Sequence, residues 1–178
     1  VSQVLKKYKK IIVIEDDLVP NKFFLEYMNS GLEIYKHNKN VASIHGYVYP
    51  INNIKKKINQ NTFFIKGADC WGWATWSRAW NTFNQNGKQL LHLIEKKKMT
   101  KSFNFNNSYN YLEMLKNQIS KKNDSWAIRW YASCFLNNMF TLYPKISLIK
   151  NIGIDQTGVN SKFDLLSLGN KKFIKANY

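Results

Sequence analysis

The strongest constraint on the fold is the run Ile11-Ile12-Val13-Ile14, which ends abruptly in Glu15-Asp16-Asp17. Consecutive β-branched residues lose side-chain freedom in a helix and pack well in a strand. An uninterrupted aliphatic run suits a strand buried on both faces, as the interior strands of a parallel sheet are. Pro20 fits a first helical turn, and Phe24, Leu25, Met28, Leu32 and Tyr35 recur at helical spacing, so the local order is strand, acidic loop, helix. In open α/β sheets ligands bind beyond the carboxyl ends of the strands, and that is where these acids fall.

Acids ahead of a helix ordinarily do no more than complement its dipole. Three adjacent carboxylates at a strand end ask for more, because they repel one another unless a cation stands between them and a phosphate. Hard divalent ions such as Mn²⁺ or Mg²⁺ take oxygen ligands, often one or two carboxylates plus substrate phosphates. The residues themselves therefore point to a diphosphate site served by a metal.

Val41 to His45, closed by Gly46, reads as a second strand and Thr62 to Ile65 as a third, with the lysine-rich stretch Ile54 to Asn61 as a solvated loop between them. Beyond Trp71 the periodicity is helical over Ser77 to Phe83, Lys88 to Lys96, Ser108 to Ile119 and Ser125 to Phe140. Thr141 to Tyr143 and Ile146 to Ile149 return to short strands, and the glycines of Asn151 to Ser161 mark a loop. With 178 residues, 44% of them hydrophobic, and no repeat or linker, the chain is read as one domain.

Four of the six tryptophans fall between Trp71 and Trp80. Trp73, Trp76 and Trp80 stand at helical spacing, which makes Trp76 and Trp80 core residues; Trp71 and Trp73, flanking Gly72, are placed to stack on a ligand ring. Asp69 and Arg78 are lesser polar candidates nearby. Asp124 or Ser125 is a natural N-cap for the last helix. His37, His45 and His92 have no mutual ligand spacing and read as surface or structural residues, and Cys70 and Cys134 form neither a disulfide framework nor a metal knuckle.

The net charge of +16 invites a nucleic-acid reading, but only Arg78 and Arg129 among the 27 basic residues are arginines. Specific base readout leans on the bidentate guanidinium, so no specific nucleic-acid partner is expected. The lysines suit contact with an anionic membrane face instead. No aliphatic run approaches the roughly 20 residues of a membrane span, and no apolar segment of a signal peptide follows the N-terminal lysines. The expected location is cytoplasmic, peripheral at the inner face of the membrane.

The strand, acid triplet, Leu-Val-Pro, helix and Ser43-Ile44-His45-Gly46-Tyr47 resemble the central segment of GT-A glycosyltransferases, in particular the N-acetylglucosaminyltransferase I type and bacterial sugar transferases of surface-polysaccharide loci. The string Trp71-Gly72-Trp73-Ala74-Thr75-Trp76 is similar to the same bacterial group, and the likeness runs from about Lys10 to Ser161. The resemblance implies an α/β, GT-A-like fold: a mixed, mainly parallel sheet flanked by helices. It implies inverting, metal-dependent transfer of a sugar from a nucleotide-diphosphate donor, expected to be UDP-linked, to a hydroxyl of a glycan or lipid-linked acceptor. Asp17 would ligate Mn²⁺ or Mg²⁺, Asp16 and Glu15 would face the ribose and base, and Trp71, Gly72 and Trp73 would lie near the sugar. Arg129 would contact a phosphate or an acid of the core. Asp124 would be either the base that deprotonates the acceptor hydroxyl or only a cap. Asp155, Thr157, Gly158 and Asn160 would belong to a closing loop, although Asn160 stands where the family often has histidine, a better metal ligand.

The domain layout this implies is a single partial GT-A domain, with residues 1–66 for metal and nucleotide sugar, 67–161 for acceptor and catalysis, and 162–178 as a tail. Only ten residues precede the first strand, so the N-terminal half of the sheet is expected to be missing and the chain to be the C-terminal part of a longer protein. The rival readings are an inactive remnant of such an enzyme and a basic module that binds nucleic acid or a membrane surface.

Overall fold

The computed structural model describes residues 1–49 and 58–152. The closing-loop residues Asp155, Thr157, Gly158 and Asn160, the tail, and residues 54–57 lie outside them. The order of elements is α1 (Ser2–Tyr8), β1 (Lys10–Val13), β2 (Leu18–Pro20), α2 (Phe24–Ile34), β3 (Val41–His45), β4 (Thr62–Lys66), β5 (Trp73–Trp76), α3 (Ser77–Trp80), α4 (Gly87–Lys96), α5 (Thr100–Phe103), α6 (Tyr111–Ile119), α7 (Trp126–Leu136), β6 (Phe140–Pro144) and β7 (Ile149–Asn151). Five strands form one sheet in the order β1-β5-β3-β6-β4, and β2 pairs with β7 in a second, two-stranded sheet.

The architecture is α/β with a mixed sheet flanked by helices, but the sheet is not mainly parallel. Only β3 and β6 run parallel, while β1–β5, β5–β3 and β6–β4 are antiparallel. Nor is β1 interior. It stands at the sheet edge among the described residues, and Ile11, Ile12 and Val13 are half-buried. The aliphatic run reflects two covered faces rather than two strand neighbours, since Ile12 and Val13 both pack against the main core.

One face of the sheet carries α2, where Gly31 lets the helix approach Ile44 so closely that a Cβ would meet its side chain at 3.1 Å. The other face carries α7, through Trp73 against Trp126 and Trp130. A second core of Leu90, Ile94, Phe103, Leu115, Ile128, Tyr131 and Phe135 lies among α4, α5, α6 and α7. Helix α7 serves both cores, which is why it is apolar nearly all round.

Several element ends differ from expectation for identifiable reasons. Pro20 lies in β2, an edge strand where a missing N–H is tolerated, and α2 begins only at Phe24. Helix α7 stops at Leu136 because Asn138 adopts φ 55°, a left-handed residue that ends a helix, and Phe140 opens β6. Arg78 is structural rather than part of a site. Its guanidinium donates to the carbonyls of Tyr35, Lys36 and Val41 at 2.7–2.8 Å and lies 4.2 Å over the Trp76 ring, closing the C-terminus of α2. Among the described residues no helix is long and apolar enough to cross a membrane.

Candidate functional site

The register Val13↔Trp73 and His45↔Trp73 puts the ends of β1 and β3 side by side with the start of β5. Glu15, Asp16 and Asp17 therefore leave the sheet at the same end as His45, with the start of β5 between them. Asp17 is followed at once by β2, and the pairing of β2 with β7 brings the Ile152 N–H to the Asp17 carbonyl at 2.8 Å. Ile152 thus lies beside Asp17. Asp17 Oδ1 is buried and has no hydrogen-bond partner among the described residues, whereas Asp16 is exposed. Burial, and after it the charges of Asp17, Asp69 and Asp16, hold the Glu15 carboxyl above its usual range.

Asp69 is thus a fourth acid of this group. After β4 the chain must cross β6 and β3 to reach β5, and residues 67–72 make that crossing. The crossing starts at Gly67, which adopts φ +103° and sits so close to Tyr131 that a Cβ would lie 2.3 Å from its ring. The Gly67 N–H donates to the Met139 carbonyl at 2.9 Å, and its own carbonyl accepts from the Thr141 hydroxyl at 2.8 Å. Asp69 then lands over β3 and β6. Its Oδ1 accepts from the Cys70 N–H at 2.8 Å, and its Oδ2 accepts from the Tyr143 hydroxyl at 3.4 Å and faces His45 Nε2 at 4.0 Å.

His45 is fully buried. Its Nδ1 lies 2.7 Å from the Tyr47 carbonyl, which can only accept, so Nδ1 is assigned the proton. Burial lowers the imidazole pKa and outweighs the opposing pull of Asp69, so the ring is neutral at neutral pH and Nε2 is a lone pair without a partner among the described residues. Burial also pushes the Tyr143 phenol well up, which keeps it a donor.

Of the candidate ring platforms, only Trp71 qualifies. It is half-buried and braced by Tyr47 at 4.9 Å and Tyr49 at 5.8 Å between centroids. Trp73 does not qualify. It is 0% exposed and packed among Trp80, Trp126 and Trp130, because its position opposite Val13 and His45 turns it into the interface with α7. Gly72, at φ +58°, allows Ile149 of β7 to pack where a Cβ would be.

Ser125, not Asp124, caps α7, accepting from the Ile128 N–H at 3.3 Å. Asp124 is exposed, and no hydrogen bond or ion pair engages it among the described residues. Trp126, two residues on, stacks on Trp73 at 5.6 Å, which ties this helix end to the start of β5. Arg129 forms no ion pair with the acids among the described residues, and its Nε is buried without a partner there. It donates to the Gln85 carbonyl at 3.0 Å and steadies the loop ahead of α4.

No three His, Cys, Asp or Glu side chains converge as a metal-holding group among the described residues. What is present is a crowd of carboxylates with a buried, unpaired Asp17 oxygen. That set fits an ion that draws most of its ligands from phosphate and water, as Mg²⁺ does, and does not fit a closed protein cage. Neither protein-family models nor curated proteins match this chain.

Sequence reasoning undervalued Asp69 and His45. The only available signal was Ser43 and His45 alternating with Ala42 and Ile44, which puts a polar stripe on one face of a buried strand.

Proposed function

We propose that this chain carries the donor-sugar and catalytic part of a GT-A-like glycosyltransferase that moves a sugar from a nucleotide diphosphate to a hydroxyl of a glycan or lipid-linked acceptor. The observation that carries the reading is the acid group at the strand ends, with Asp17 Oδ1 buried and unpaired. Asp17 holds Mn²⁺ or Mg²⁺, and Glu15 and Asp16 face the nucleoside. The ion, when bound, neutralises charge on the departing diphosphate.

Asp124 is the base. A carboxylate with no partner among the described residues can accept the acceptor's hydroxyl proton as that oxygen forms its bond to the anomeric carbon and the bond to the diphosphate oxygen breaks. One in-line displacement inverts the anomeric centre. The lysine-rich composition supports an acceptor presented at an anionic membrane, and the cytoplasmic face is the proposed place of the reaction.

The test is UDP release from a panel of UDP-hexoses and UDP-N-acetylhexosamines with Mn²⁺. Asp17→Asn should abolish metal-dependent turnover, and Asp124→Asn should lower kcat by about 10²–10⁴ with donor binding retained. No metal-dependent release from any donor would favour the inactive-remnant reading. Full activity of either variant would refute the role assigned to that residue.

A further inference from the structure

Among the described residues, Asp69 has acceptor capacity that is not used up. Its Oδ1 is taken by the Cys70 N–H, but there Oδ2 receives only the long Tyr143 contact, and the side chain remains 18% exposed. The neighbour best placed to claim Oδ2 is His45, yet that ring donates its Nδ1–H to the Tyr47 carbonyl and turns an unprotonated, fully buried Nε2 toward the carboxylate. Two acceptors face each other at 4.0 Å, beyond hydrogen-bond distance. A ligand at Asp69 must therefore bring donors.

Two residues on, the partly exposed Trp71 ring offers an apolar face braced by Tyr47. A phosphate does not answer the need for donors, since its oxygens are themselves acceptors. A uracil ring could stack on Trp71, but it has one N–H donor and would turn carbonyls toward the acid. A sugar ring has several O–H donors on its edge and a C–H face that packs on an aromatic.

We infer that Asp69 and Trp71 form a sugar subsite, with the carboxylate accepting ring hydroxyls and the indole supporting the ring face. The subsite would hold the transferred sugar, an assignment that rests on the donor-site reading of the acid group, although its chemistry can be tested apart from that reading. The experiment titrates methyl glucoside, methyl galactoside and methyl N-acetylglucosaminide into the ¹⁵N-labelled chain and follows the Trp71 indole N–H and the Cys70 amide. At least one glycoside should shift both signals. Asp69→Asn, whose amide oxygen can still accept from Cys70, should weaken that response by about 10- to 100-fold, as loss of a hydrogen bond to a charged group does.

Should Asp69→Asn fail to fold, Trp71→Leu, which keeps the acid, must abolish the Cys70 response. No shift with any glycoside, an undiminished shift in the folded variant, or a response to uridine alone would overturn the subsite. UDP with Mn²⁺ is titrated separately. A glycoside response without a UDP response would sink the transferase reading and leave the subsite standing, and the reverse result would sink only the subsite.

Discussion

Replacing Gly72 by alanine tests how the two sheets are joined beneath the site. Its φ of +58° strains any residue with a side chain, at about 1–2 kcal/mol. The added Cβ would also lie 1.8 Å from Cδ1 of Ile149, and forcing a methyl into that contact costs about a further 1–3 kcal/mol. The expected loss is therefore about 2–5 kcal/mol. Ile149→Val removes the offending Cδ1, and the next contacts, at 3.3 and 3.5 Å, are ones that neighbours can accommodate. In that background Gly72→Ala should cost only the backbone strain. Urea titrations of wild type, both single variants and the double variant, read by tryptophan fluorescence, give the four stabilities, provided that the slopes agree. An equal penalty in both backgrounds, or one below about 1 kcal/mol in the wild type, would refute the reasoning.

The tryptophans should separate sharply. Trp73→Ala empties the centre of the main core and should cost about 3–5 kcal/mol, while Trp71→Ala, at the margin of the site, should cost much less by the same denaturation assay. The pH dependence carries a defined sign at Glu15, whose carboxyl is raised above its ordinary value of 4.5 by burial and by neighbouring acids. The ionised form is thus disfavoured in the folded, metal-free protein, so Glu15→Gln should raise the melting temperature at neutral pH. That gain should shrink as pH falls through the folded pKa and vanish below 4.5, where both states are protonated; a gain independent of pH would contradict the crowding of acids.

The parts of the fold legible in the sequence were those where local pattern and burial agree. Val41 to His45 is a strand with the expected bounds, and the acid triplet does follow a strand, but β2 comes between it and α2. The segment Trp73–Trp76 was misread for a physical reason. Its tryptophans sit three apart, as on one helix face, yet in the strand they fall on opposite faces, Trp73 toward α7 and Trp76 toward α2, where its indole N–H reaches the Leu32 carbonyl at 3.0 Å. Strand order was not legible either, because an aliphatic run reports covered faces and not the number or direction of its neighbours. Within the site, Asp17 and Trp71 could be singled out from local motifs. Asp69 stands out there only as a lesser candidate near Trp71, because its place depends on the 67–72 crossing over β6 and β3, a long-range event that leaves no local period.

The central claim is that Asp17 holds a divalent ion together with a nucleotide diphosphate, and paramagnetic broadening by Mn²⁺ tests it most directly. The readout registers weak binding and needs no turnover. In the ¹⁵N-labelled chain, Mn²⁺ with UDP should selectively broaden the amides of Glu15 to Leu18, those of Asp69 to Trp71, and Ile152, and Asp17→Asn should remove the effect. Broadening that is absent, that centres elsewhere on the surface, or that survives unchanged in Asp17→Asn would contradict the account.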